Sequence, residues 1–387
     1  MKGSELNEIR SQFLLEDDIH FLNHGSFGAC PRAVFDEYQR IQLELERQPV
    51  RFLGREFRER MAGARTALAA YLGADADDLT YVPNATTGLN IVARSLNLKP
   101  GDEVVGTDHE YGALDRTWSF ICGQTGARYV RAPISVPIAS ADDVVEQAWS
   151  HVTERTRVLF LSHITSPTAV ILPIAALIAK AREAGILTVI DGAHAPGMIP
   201  LDLDALGADA YSGNCHKWMM APKGSGFLHV RRDVQHLIDP LVVSWGWESD
   251  EPSASQFVDH HEWQGTRDIS AFLTVPAAIR FMEENDWPTV AKQCSNLLHD
   301  FVPQILAATG QAALTPDSTK WFTQLASFAI PADDWQGLKI RLYDEYKIEA
   351  PTIWWNNKTL LRISVNAYNA AEDLSSVVDA LRNLLLS

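Results

Sequence analysis

Cysteine is scarce in this sequence. The four that occur, Cys30, Cys122, Cys215 and Cys294, stand far apart with no C-x-x-C pair among them. That fits reduced cytosolic thiols better than a disulfide frame or a zinc site. Basic residues are also short, with 33 Lys and Arg against 49 Asp and Glu and a formal charge of -16. Nucleic acid and anionic membranes reward basic patches, so this balance argues against both. Any anionic ligand must therefore be held by a few local groups. No apolar run approaches the length of a membrane span. The opening stretch, MKGSELNEIRSQFLLEDD, is too acidic and too poor in apolar residues for a signal peptide. A soluble, cytoplasmic protein is expected. No internal repeat or low-complexity tract is present.

What remains is an ordinary globular composition, 46% hydrophobic and 21% charged. At 387 residues the chain exceeds one comfortable core, which predicts a large domain and a smaller one. From about residue 80 to 230, short apolar runs alternate with longer helical ones. DDLTYVPNATTGLNIVARSL reads as strand, loop and helix, GDEVVGTDHEYGA and TRVLFLSHITSPTAVILP as strand then polar loop, and ILTVIDGAHA as an apolar strand closing on polar residues, with ADAYSGNCHKW after it. PIAALIAKAREAG has helical spacing with Gly185 as its stop. Strands that are apolar throughout and separated by helices imply a mostly parallel sheet covered on both faces, an α/β architecture. After about residue 275 the pattern becomes α+β. AFLTVPAAIRFMEEN and VAKQCSNLLHDFVPQIL read as amphipathic helices, WFTQLASFAIPA, KIEAPTIWW and LLRISVNAYN as short strands, and AEDLSSVVDALRNLLL as a closing helix. The expected division is a large domain over 21–274 and a small one over 275–387, with residues 1–20 packed on the small domain.

In open sheets of this kind ligands bind beyond the carboxyl ends of the strands. The polar residues there are Thr86 and Thr87, Tyr111, His163 and Ser166, Asp191 and His194, then His216 and Lys217. The loop PNATTGLN opens a helix, whose backbone N–H groups and hydroxyls cradle a phosphate without any basic residue. Asp191 is placed to keep a ring nitrogen protonated, and Lys217 to form a Schiff base with an aldehyde. Phosphate, basic ring nitrogen and aldehyde together describe pyridoxal 5'-phosphate. A lysine in the apolar setting of YSGNCHKWMMAPKGSGFLHV then makes sense, because it is not kept as a free ammonium.

Duller readings stand beside each piece. A strand-end Asp commonly caps a helix, NATTG fits an ordinary turn, and Lys217 fits a snorkelling side chain. KGSG lacks the spacing of a nucleotide loop. DHHE, residues 259–262, invites a metal reading, but adjacent histidines in an extended segment face opposite ways, so a surface turn is expected and no metal.

The chain resembles the class V aminotransferase family of pyridoxal-phosphate enzymes of fold type I, most nearly its branch of isopenicillin N epimerases. FLNHGSFGACP, QPVRFLGRE, VPNATTGLN, HEYGA, HITSPTA, VIDGAHAPG, YSGNCHKWMMAPKGSGFL, QGTRD and RISVNAYN carry the likeness in order along nearly the whole chain. The resemblance implies that Lys217 bonds the cofactor aldehyde, Asp191 pairs with its ring nitrogen and Tyr111 stacks on the ring. It places His194 and Ser166 at the phenolic oxygen and Ala85, Thr86, Asn214 and His216 at the phosphate. Thr266 is expected from the second subunit of a homodimer with shared sites. Asn23, His24 and Gly25 are expected beside the substrate, and Arg362 at its α-carboxylate, a task suited to a bidentate guanidinium. The alternative for Arg362 is a structural ion pair.

The cysteine desulfurases of this family carry a nucleophilic cysteine shortly before that arginine. The corresponding stretch here, YKIEAPTIWWNNKTLLRIS, has none, which excludes persulfide chemistry there. The expected reaction acts at the α-carbon of an amino acid. Epimerisation comes first, C–S β-elimination second and transamination third, with a non-catalytic cofactor-binding module the remotest reading. Epimerisation requires either a second proton donor, for which Tyr111, His24 and Cys215 are the candidates, or one base able to serve both faces. Trp354, Trp355, Phe52, Trp245 and Trp247 suggest an apolar substrate body or buried packing. Arg51 and Arg55 suit a distal carboxylate.

Overall fold

The computed structural model describes residues 9–385. A short β1 (His20–Phe21) precedes the main sheet, which is built from β2 (Leu79–Val82), β3 (Glu103–Thr107), β4 (Arg128–Ala132), β5 (Thr156–Ser162), β6 (Leu187–Gly192), β7 (Ala210–Asn214) and β8 (Gly226–Val230). Their order across the sheet is β2-β8-β7-β6-β5-β3-β4. β3 to β7 run parallel, as uniformly apolar strands between helices require. β8 is antiparallel to both β7 and β2, because only the turn over residues 215–225 separates it from β7 and a turn reverses the chain. β5, β6 and β7 are buried on both faces apart from single residues at their starts.

A second, antiparallel sheet holds β9 (Leu325–Ile330), β11 (Thr352–Trp355) and β12 (Lys358–Ser364), with β12 central. Helices Trp287–Thr309 and Ala371–Leu385 pack together beside it. β1 pairs in parallel with β10 (Ile348–Glu349), and His20 Nδ1 lies 2.7 Å from Asp373 Oδ1. Phe13 stacks edge-on to Tyr368 at 4.9 Å. The N-terminal segment from residue 9 onward thus lies against the C-terminal elements, and residues 1–8 of it fall outside the described residues.

Two sequence expectations need amendment. The segment read as one helix over AFLTVPAAIRFMEEN divides at Thr274 into Ser270–Leu273 and Val275–Glu284. Pro276 sits in the first turn of the second helix, where its missing N–H costs nothing. DHHE forms no surface turn. It ends the helix Gln256–Glu262, with His261 and Glu262 buried, and Glu262 meets the buried Arg65 as an ion pair. Such a pair sets geometry more than it adds stability, since both charges lose their hydration. No cluster of His, Cys, Asp and Glu suited to a metal exists among the described residues. No helix among them is long and apolar enough to cross a membrane.

Two glycines bring the site elements together. A Cβ at Gly88 would meet Ser212 Oγ at 2.2 Å, so the helix Ala85–Ser95 lies directly on β7. Gly28, at φ +72, brings the N-terminal loop so close to the lysine segment that a Cβ would meet His216 O at 2.1 Å.

Candidate active site

The carboxyl ends of β2, β3, β5, β6 and β7 converge on one rim. Lys217 follows β7 by three residues and is half-buried. Burial pushes its amine down to about 7; the Arg362 charge adds to the fall and Asp191 opposes it. Lys217 Nζ lies 3.3 Å from His194 Nε2, while Trp218 Nε1 donates to His194 Nδ1 at 3.3 Å. An indole only donates, so Nδ1 is the acceptor and a neutral His194 carries its proton on Nε2. That N–H points at the lysine and suits a neutral amine as its acceptor. Burial, then the Lys217 charge, holds His194 well below the usual imidazole range.

Asp191 ends β6 and is buried. Its Oδ1 accepts from Ala193 N at 2.9 Å. Burial raises its carboxyl, with the Ala193 bond and Lys217 acting against the rise. It forms no ion pair with any described residue, so the site holds a buried carboxylate that needs a cation from elsewhere. Arg362, on β12, is its counterpart. It is 5% exposed and meets no carboxylate among the described residues. Its Nη1 donates to Ser166 O at 2.7 Å and Ser166 Oγ at 3.2 Å, and its Nη2 to Ser26 Oγ at 3.2 Å. Burial brings the guanidinium down to about 10, opposed by Tyr111. A structural ion pair is thereby ruled out among the described residues. The arginine is neutral-bonded, buried and open to an anionic partner.

Tyr111, Glu110, Ser166, Arg362 and Trp354 line one cleft. Around it, Ala85 N donates to Asn214 Oδ1 at 2.8 Å, and Asn84 caps the helix by accepting from Thr87 N at 2.9 Å. Thr86 is half-buried in that first turn. His216 Nδ1 is 2.8 Å from Ser225 O, and burial lowers its ring to about 4. Gly25 N donates to Ser364 Oγ at 3.1 Å, and Asn23 Nδ2 to Glu349 Oε1 at 2.9 Å.

Other expected site residues lie elsewhere. His24 does not line the cleft. It is fully buried, with Nδ1 2.9 Å from Tyr368 Oη and Nε2 3.0 Å from Lys217 O, and burial lowers it to about 3. It fixes the lysine backbone. Cys215 is also fully buried, and burial raises its thiol. Phe52 is core, covered by the Arg60 guanidinium at 4.3 Å. Trp355, by contrast, lines the cleft and donates its indole N–H to Asp108 O at 2.8 Å. Trp245 lines a separate hollow with Arg55 and Arg58. Arg51 and Thr266 are exposed and do not line the cleft, and Arg51 pairs with Glu56 at 3.2 Å.

Four contributors escaped sequence reasoning: Ser26, Trp218, Tyr368 and Glu110. Ser26 and Glu110 lay within quoted motifs, NHGSFG and HEYGA, but nothing in their spacing distinguished them.

The match to known proteins decides the family. The model of the class-V aminotransferases fits residues 28–377. The chain belongs to the class-V aminotransferase family. Its cofactor is pyridoxal 5'-phosphate, and it is an enzyme. It is 35% identical to isopenicillin N epimerase of Amycolatopsis lactamdurans, over 97% of each chain. It is 28% identical to putative L-cysteine desulfhydrase 2 of Oryza sativa subsp. japonica, over 98% of this chain and 87% of the other. In fold it is similar to the apo cysteine desulfurase of Thermococcus onnurineus NA1, with a TM-score of 0.83, 18% identity and 98% of each chain covered. The residues at the rim fit the cofactor: a carboxylate lacking a cation, an amine already near neutrality and a capped helix start meet at one place.

Proposed function

We propose that this enzyme inverts the α-carbon of an amino acid, as an epimerase or racemase. The observation that carries a site for an amino acid is Arg362, a buried guanidinium with no carboxylate partner among the described residues, in the same rim as Lys217. Likeness over the full chain to an isopenicillin N epimerase supports inversion as the outcome.

When bound, pyridoxal phosphate supplies an electron sink that acidifies the Cα–H bond. Lys217 holds the cofactor and, as a neutral amine, takes the Cα proton at Nζ. His194 orients that amine through its Nε2–H. Asp191 holds a proton at the ring nitrogen. Asn214, His216, Ala85 and Thr86 hold the phosphate, and Ser166 steadies Arg362 while the arginine grips the α-carboxylate. Asn23 and Gly25 shape the substrate end of the cleft. Thr266 and Arg51 complete the site from a second copy of the chain. The small unit is the segment 275–387, carrying Arg362 against the large unit 21–274.

Elimination of a β-substituent is the second reading, favoured by the likeness to the desulfhydrase. A desulfurase reading has less support. Cys30 is half-buried, the other three cysteines are buried, and none of the four lines the cleft.

With a panel of L-amino acids that includes cystine and long dicarboxylic analogues, chiral chromatography is expected to show the D-form accumulating with its skeleton intact. Ammonia and a keto acid, with the β-substituent lost, would replace inversion by elimination. The lysine adds a pH prediction. Only the neutral amine attacks an aldehyde, and a pKa lowered to about 7 makes it available above that pH. Capture of pyridoxal phosphate by the apoprotein, followed by absorbance, is therefore expected to rise with a midpoint near 7. A midpoint in the range of an ordinary lysine would show that Lys217 is solvated.

A further inference from the structure

Inversion needs a proton delivered to Cα from the side opposite its removal, and Lys217 accounts for one side only. We propose that the Tyr111 phenol is the second acid–base group, delivering a proton from Oη to Cα while Lys217 Nζ removes one from the other side; this rests on the epimerase reading.

Geometry and elimination carry it. Tyr111 follows β3 and Lys217 follows β7, and the strands β5 and β6, the latter bearing Asp191, lie between them in the sheet. The two residues therefore follow strands that lie on either side of the one bearing Asp191. Tyr111 is 43% exposed and lines the cleft with Arg362. The phenol is thus near the group that fixes the α-carboxylate, one bond from Cα. Its hydroxyl makes no hydrogen bond to any described residue.

Other titratable side chains at the rim are buried or already hold at least one hydrogen bond. His24 has both nitrogens occupied, and His194 is held between Trp218 and Lys217. His163 turns its Nδ1 to Tyr211 Oη at 3.0 Å. Glu110 borders the cleft but is buried, and hydroxyls of Thr107 and Ser162 each sit 2.6 Å from one of its carboxyl oxygens. Cys215 is fully buried.

The proton count closes. In one direction Nζ gains the proton that leaves Cα, and Oη gives one to Cα and becomes a phenolate. Being exposed, Tyr111 then recovers a proton from water, and the lysine ammonium returns one. The reverse direction exchanges the two roles. In D2O the inverted product therefore carries deuterium at Cα.

The test compares wild type, Tyr111→Phe and Tyr111→Ala as holoenzymes in D2O with each enantiomer of the panel amino acid that wild type turns over fastest. Proton NMR reads exchange, and chiral chromatography reads inversion. Tyr111→Phe is expected to lose inversion by about 10²-fold or more, the usual scale for an acid–base group. It should still exchange the α-proton of the enantiomer served by Lys217, and fail with the other. Quenching of tryptophan fluorescence should show that its apoprotein binds pyridoxal phosphate as wild type does, because the ring remains; Tyr111→Ala should bind it more weakly. Near wild-type inversion in Tyr111→Phe, equal loss of exchange from both enantiomers, or lost cofactor affinity in Tyr111→Phe would overturn the proposal. If wild type itself yields keto acid and no inverted product, it is the epimerase reading that fails, and the two failures are told apart by the wild-type control alone.

Discussion

Replacing Lys217 by alanine is expected to reduce turnover by about 10⁴-fold or more, since one side chain provides both the bond to the cofactor and the base at Cα. The fold should survive. Lys217 has partly open surroundings, and its removal relieves a desolvated amine near the Arg362 charge. The variant should unfold at a denaturant concentration no lower than wild type. Pyridoxal phosphate should wash out of it on gel filtration while remaining with wild type. Turnover within tenfold of wild type would mean that another lysine serves the site. Lys223 is the lysine to examine, because burial depresses its amine as well, although it stands beyond Trp218 in the following turn.

The second large effect concerns Arg362. Changing it to lysine preserves charge but not the planar fork that two Ser166 contacts and Ser26 now hold in place. Losing a buried, charge-assisted pair to a carboxylate costs about 2–5 kcal/mol. A fall of about 10² to 10³ in kcat/KM is expected, expressed mainly in KM. The diagnostic control is a substrate whose α-carboxylate is replaced by an amide. Wild type should reject it strongly, and the Arg362→Lys enzyme should discriminate far less. Equal discrimination in both proteins would show that the arginine is structural and that another group reads the carboxylate.

The site was legible in the sequence where strands are apolar from end to end. β5, β6 and β7 stop abruptly at polar residues, so His163, Asp191 and Lys217 announced themselves as rim groups. The same logic missed β4. It is an edge strand whose Arg128 and Arg131 face solvent, a charge pattern that protects an edge and hides the strand from any search for apolar runs. Inward-facing polar residues were harder still. His24 sits in a motif that resembles a substrate loop, yet its ring is buried against Trp218 and Tyr368 by contacts that join residues far apart in the chain. Ser26 and Glu110 act through partners on β12 and β5, which no local spacing reveals. Arg362 was readable as an arginine within an apolar strand, but whether it met a carboxylate was decided only by tertiary packing. Arg51 and Thr266 illustrate the opposite limit. Their side chains are exposed and outside the cleft, so their expected roles depend on a surface supplied by another copy.

The central claim is that Lys217 is the lysine this enzyme joins to its cofactor. Reduction of the holoenzyme with borohydride, followed by proteolysis and mass spectrometry of the peptides, tests it directly. One phosphopyridoxyl group per chain, on Lys217 within the peptide that contains NCHKWMM, is the predicted result. The same group on Lys223 or on any other lysine, with Lys217 unmodified, would contradict it.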